Sequence, residues 1–152
     1  MRIRAGIVLI QDDKVALIER LRAGLDYYVF PGGGIDQGEP PEQAAVREAM
    51  EELGIQIAIK QKVAEIHLGQ KSRQVYFLVE QTGGKFGTGT GEEYTHADPA
   101  DPDEGIYIPV WMPIDELSRY KNIYPESVAK QVIRSVQNGW PGTAEVVFEK
   151  PK

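Results

Sequence analysis

Between Tyr27 and Ile55 the chain changes its structural period twice. Tyr27-Tyr28-Val29-Phe30 is a short aromatic run suited to a strand, and Pro31-Gly32-Gly33-Gly34 stops it. From Pro41 to Leu53 the pattern turns helical, and Gly54 stands where a helix C-terminal glycine belongs. Ile55 then opens a new strand pattern that runs to Leu68.

The rest of the chain repeats that alternation. Residues 3–10 read as a buried strand, Asp12-Asp13 as a turn and 14–20 as its hairpin partner. Residues 74–80 read as a strand, with Lys71-Ser72-Arg73 near the preceding turn. Residues 82–105 are dominated by Gly, Thr, Asp and Pro and read as a long, poorly ordered loop. A last strand follows at 106–111. A helix is predicted over 125–138, with Val128, Val132, Ile133 and Val136 on one side. Strands before and after a central helix, with a second helix at the end, predict an α/β fold with a mixed sheet flanked by helices. A length of 152 residues suits one domain, 1–152.

Seventeen Lys and Arg against 23 Asp and Glu leave a net charge of −6, which is not the electrostatic footprint of a general nucleic-acid binder. If the substrate is itself anionic, a bound divalent cation is the simplest source of attraction. The absence of cysteine excludes disulfides, thiolate metal sites and cysteine nucleophiles. The apolar run 5–10 is too short for a signal peptide or a membrane span, so a cytoplasmic protein with no membrane partner is expected.

The chemistry is concentrated on the predicted helix. At about 100° per residue, Val46, Ala49, Met50 and Leu53 fall on one stripe, expected to pack on the core. Glu48, Glu51 and Glu52 fall on the opposite side. Like charges at these spacings repel one another, and a bridging cation removes that penalty. Hard cations such as Mg²⁺ take carboxylate and water oxygens and keep positions open for phosphates. Three glutamates alone also describe a solvated helix face, but their neighbours point further. The glycine triplet lets backbone approach a ligand closely, and Arg47, one turn before Glu51, is placed to orient a carboxylate.

The segment 33–55 resembles the Nudix box, G-x5-E-x7-R-E-U-x-E-E-x-G-U with U a bulky apolar residue. Gly33, Glu39, Arg47, Glu48, Glu51, Glu52, Gly54 and Ile55 occupy its positions in order. Ala49 is smaller than usual at the first U, and Pro40-Pro41 replaces the Ser or Thr that often follows the lone glutamate. Losing that side-chain cap costs the helix about 1 kcal/mol, although proline is well tolerated in a first turn.

The resemblance implies a Nudix fold, a mixed β-sheet sandwiched between α-helices (α/β/α). It also implies hydrolysis of a nucleoside diphosphate linked to another group, with Mg²⁺ or Mn²⁺. By the family's pattern, Glu48, Glu51, Glu52 and the Gly33 carbonyl ligate the metal, while Arg47 and Glu39 hold the carboxylates in place. Glu52 is the first choice of general base; Glu92 and Glu93, in the long loop, are the candidates outside the box. Arg4, Arg73 and Tyr28 are read as substrate contacts, though each also fits a surface or packing role. His67 and His96 share no metal-ligand spacing and receive no role.

A small-molecule nucleotide is the expected partner, with a nucleoside triphosphate, normal or oxidised, as the leading substrate class. Hydrolysis of ADP-ribose, dinucleoside polyphosphates or RNA 5′ ends stays open. So does a non-catalytic module that binds a nucleotide and reports it, although the complete set of box glutamates argues against that. Homodimers are common in the family, and no sequence feature here reports on one.

Overall fold

The computed structural model describes residues 2–89 and 105–149. Strand β1 (Arg2–Gln11) turns into β2 (Lys14–Arg22) through Asp12 and Asp13, whose φ values of +51° and +61° are those of a tight hairpin turn. Aspartate tolerates this left-handed geometry better than most residues. The chain continues through β3 (Leu25–Val29), β4 (Gly32–Gly34), α1 (Pro41–Leu53), β5 (Ile55–Leu68) and β6 (Ser72–Gly84). After residue 105 come β7 (Ile106–Pro113), a 3-10 turn (Ile114–Glu116), β8 (Ile123–Tyr124), α2 (Glu126–Asn138) and β9 (Glu145–Glu149).

The sheet is mixed, as expected. β1 pairs with β6 in parallel and with β4 antiparallel, β5 pairs with β6 antiparallel, and β9 joins β5 in parallel. On the other side of the hairpin, β2 is flanked by antiparallel β3 and β7, and β8 joins β3 in parallel. Side chains alternate between faces, so the two faces of one sheet build two cores. Ala5, Ile7 and Leu9 of β1, with Val75, Phe77 and Val79 of β6, pack beneath α1. Val8 and Tyr76, between them in sequence, pack with Val128, Ala129 and Val132 of α2. The result is the helix–sheet–helix sandwich.

Three strands lie outside the sequence expectation. β4 is made only of glycine, β8 has two residues, and β9 follows Pro141-Gly142 with too few residues to show a period. Among the described residues, no helix is long and apolar enough to cross a membrane.

Candidate active site

Helix α1 begins on Pro40, which adopts an extended conformation and offers no side-chain cap, with Pro41 in the first turn. It ends at Gly54, whose φ of +76° is the left-handed cap and whose N–H reaches the Met50 carbonyl at 3.0 Å. The next segment seals that end: the N–H of Gly87 donates to the Leu53 carbonyl at 2.9 Å and that of Lys85 to the Gly54 carbonyl at 3.2 Å.

The face that α1 buries differs from the one expected. Val46 and Met50 are each 40% exposed, whereas Glu48 and Glu52 are each only 8% exposed. The buried arc runs through Ala44, Glu48, Glu52, Ala45, Ala49 and Leu53. The alanines let α1 sit close to the sheet, so larger side chains turn outward. The glycine backbone of β4 leaves room for the two carboxylates. A Cβ at Gly33 would collide with the Glu48 carboxylate. Glu52 accepts the Gly32 N–H at 3.2 Å, and the Gly32 carbonyl accepts from Arg4 Nη2 at the same distance.

Arg47 ties the site together. Its Nε and Nη2 donate to the two oxygens of Glu39 at 3.0 and 2.9 Å, a bidentate fork. Nη1 donates to Glu48 at 2.9 Å and Glu51 at 3.2 Å, Nη2 also reaches the Gly34 carbonyl at 3.0 Å, and Asp36 stands 3.6 Å away. The hydrogen bonds to Glu39 hold the guanidinium charged well above its ordinary range. The same bonds, followed by the Asp36 N–H, hold the Glu39 carboxyl below the usual carboxylate value. Asp36 was not singled out from the sequence, because its contribution is a loop charge, and Gly32 entered only as one of the glycine triplet, because its contribution is backbone.

The donor set suits a hard cation. Asp36, Glu39, Glu48 and Glu51 bring four negative charges to the one positive charge of Arg47, with Glu52 alongside on the helix. Among the described residues, no three Asp, Glu or His side chains converge into a ready cage. Mg²⁺ does not require one, since it binds through one or two carboxylates and completes its shell with water and phosphate oxygens. The room at Gly33, which a Cβ would fill, keeps backbone and carboxylate oxygens adjacent.

The remaining candidates lie apart. Tyr28 packs on the α2 side of the sheet against Tyr120, with ring centroids 5.4 Å apart. Arg73 pairs with Glu65 at 3.5 Å, beside His67. Glu92, Glu93 and His96 fall outside the described residues. At Gly89 a Cβ would collide with the backbone carbonyls of Glu51 and Glu52.

Comparison with known proteins gives the family and the fold. The RNA pyrophosphohydrolase of Methylococcus capsulatus is 25% identical over 168 residues, covering 97% of this chain and 84% of that protein. A Nudix hydrolase from Nitrosomonas europaea superposes with a TM-score of 0.70 at 17% identity, covering 97% of this chain and 79% of the other. An ADP-ribose pyrophosphatase from Streptococcus suis gives a TM-score of 0.65 at 18% identity, covering 97% of this chain and 98% of the other. These two structures share the fold. The NUDIX domain model matches residues 1–133, and with that match the chain belongs to the Nudix family of pyrophosphohydrolases.

Proposed function

We propose that this chain hydrolyses the phosphoanhydride of a nucleoside 5′-triphosphate, releasing a nucleoside monophosphate and pyrophosphate, with Mg²⁺ or Mn²⁺ as cofactor. The observation that carries the reading is the pair of buried carboxylates, Glu48 and Glu52, set against the side-chain-free backbone of Gly32 and Gly33. Burying carboxylates is expensive unless something charged or hydrogen-bonding receives them; Arg47 receives Glu48 and the Gly32 N–H receives Glu52, which keeps both carboxylates beside the glycine backbone.

Glu48, Glu51, Glu52 and the Gly33 carbonyl would hold the metal. Bound there, it supplies charge neutralisation at the pyrophosphate and an acidified water. Arg47 positions Glu48 and Glu51, and Glu39 in turn fixes the Arg47 fork. Water attacks one phosphorus in line, the bond to the bridging oxygen breaks, and the proton passes to a carboxylate. Glu52 is the base in this reading, with Glu92 and Glu93 as the alternatives.

A second substrate form has an observation of its own. The Methylococcus relative is named an RNA pyrophosphohydrolase, which makes the 5′-triphosphate end of an RNA the second substrate form. Both forms present the same reacting group.

The test is a product analysis with normal and 8-oxo nucleoside triphosphates, 5′-triphosphorylated oligoribonucleotides, ADP-ribose and dinucleoside polyphosphates, with Mg²⁺, Mn²⁺ or chelator. Glu52→Gln, Glu92→Gln and Glu93→Gln variants run alongside. Metal-dependent cleavage of a triphosphate, lost in Glu52→Gln, supports the reading. Nucleotide binding without turnover replaces it with a sensor module. Cleavage confined to ADP-ribose or dinucleotides replaces the substrate class.

A further inference from the structure

We propose that Arg20, Tyr27 and Tyr107 form the subsite for the nucleobase, and that Arg20 makes it prefer bases with a keto oxygen over bases with an amino group at that edge. The proposal rests on the nucleotide-hydrolase reading above and deepens it.

β2, β3 and β7 bring these three residues into one cross-strand rung, with Arg20 opposite Tyr27 on one side and Tyr107 on the other. The guanidinium carbon of Arg20 lies 4.0 Å from the Tyr107 ring centroid and 5.7 Å from that of Tyr27. The next rungs on this face hold Val29, Ile18 and Pro109, then Ala16 and Trp111, and Phe86 packs on Trp111 at 4.5 Å. Tyr107, Trp111, Val29 and Phe86 border the core under α1, so the rung faces the side of the sheet that carries the box glutamates.

Three features fit a planar, acceptor-rich ligand. Arg20 Nε is buried and has no hydrogen-bond partner. A buried donor without an acceptor is costly in a finished interior, and a ligand oxygen would satisfy it. The rung is only partly buried, whereas α1 closes the neighbouring part of the same face. Aromatic rings and a guanidinium plane are surfaces on which a base stacks.

The polar groups on this face set the base preference. Among the described residues of β2, β3 and β7, those in step with Arg20 are Lys14, Ala16, Ile18, Arg22, Leu25, Tyr27, Val29, Tyr107, Pro109, Trp111 and Pro113, with no carboxylate or amide. A guanidinium donates and never accepts. It bonds the O6 and N7 of guanine or hypoxanthine or the O4 of uracil, and finds a competing donor at the amino group of adenine or cytosine. The position is also consistent in scale. Tyr27 is five residues before Gly32, so their Cα atoms are at most about 18 Å apart.

Equilibrium dialysis of the full chain against GMP, IMP, UMP, AMP and CMP tests this without any turnover. Wild type should bind the three keto nucleotides about tenfold more tightly than the two amino nucleotides. Arg20→Met should bring that ratio close to one, by weakening the keto nucleotides more than the amino nucleotides. Tyr107→Leu should weaken all five together. An absent preference in wild type, or one retained in Arg20→Met, overturns the proposal. If Arg20→Met does not fold, the wild-type ratio decides. Hydrolysis without base preference removes the subsite and leaves the enzyme reading intact; base-selective binding without hydrolysis does the reverse.

Discussion

The two helices have nearly the same frame and opposite contents. α1 and α2 are each 13 residues long, each follows a proline that provides no side-chain cap, and each ends at a glycine. α2 sets Val128, Ala129 and Val132 into the core, and its buried Gln131 donates to the Val63 carbonyl at 2.7 Å. α1 buries three alanines, Leu53 and two carboxylates. At about 0.8 kcal/mol per buried methylene, alanines give α1 little packing energy, and buried carboxylates oppose it. α1 is fastened by polar links instead, namely the Arg47 fan and the backbone bonds from 85 and 87 onto its last carbonyls. α1, with its buried carboxylates, is thus fastened mainly by polar links to its neighbours, and α2 mainly by apolar packing, with Gln131 as its buried polar contact.

That contrast breaks most sharply at Glu52. Glu52→Gln should lower kcat about 10³-fold, the scale of several kcal/mol that a metal site supplies. Its Tm should stay level or rise, because a buried charge is removed. Thermal melts with steady-state kinetics check both; a fall in Tm matching the loss in kcat would make Glu52 structural. Gly33→Ala comes next. Its new Cβ must displace the Glu48 carboxylate, and misplacement on that scale costs about 10²-fold in rate. Glu48→Gln in the same background should add much less than it does alone.

The mirror experiment is on α2. Val132 is fully buried, so Val132→Ala should cost about 2 kcal/mol of stability in urea unfolding, with kcat/KM of the folded protein unchanged. A smaller effect belongs to the Arg47–Glu39 fork. Because Glu39 titrates below its ordinary value of 4.5 in the fold, its ionised form stabilises. That contribution is complete above the unfolded value and is lost as pH falls through the lowered one. The stability difference between wild type and Glu39→Gln should therefore be flat from about pH 7 to about pH 5 and shrink below that. A difference that grows on acidification would contradict the fork.

Much of this was legible before folding, and the gaps have physical causes. Pro41, Leu53 and Gly54 mark α1 because capping is local chemistry. The box residues were legible because they lie within 23 consecutive positions. β4 was not, since three glycines carry no strand preference and pair only because β1 lies beside them. The Arg20 rung was not either, because Tyr27 and Tyr107 come together only through separate pairings with β2.

The smallest predicted effect tests the reading of α1 itself. Helical spacing alone puts Val46 and Met50 on the core stripe with Ala49 and Leu53, yet both side chains face outward. The spacing measures where apolar residues cluster, and it does not know that the glycines of β4 make room for carboxylates on the adjoining arc. Val46→Gln and Met50→Gln should each change stability by no more than about 0.5 kcal/mol, and neither should alter kcat. If Met50→Gln instead costs as much as Val132→Ala, α1 is rotated from the orientation described, and Glu48 and Glu52 leave the glycine backbone on which the proposed chemistry depends.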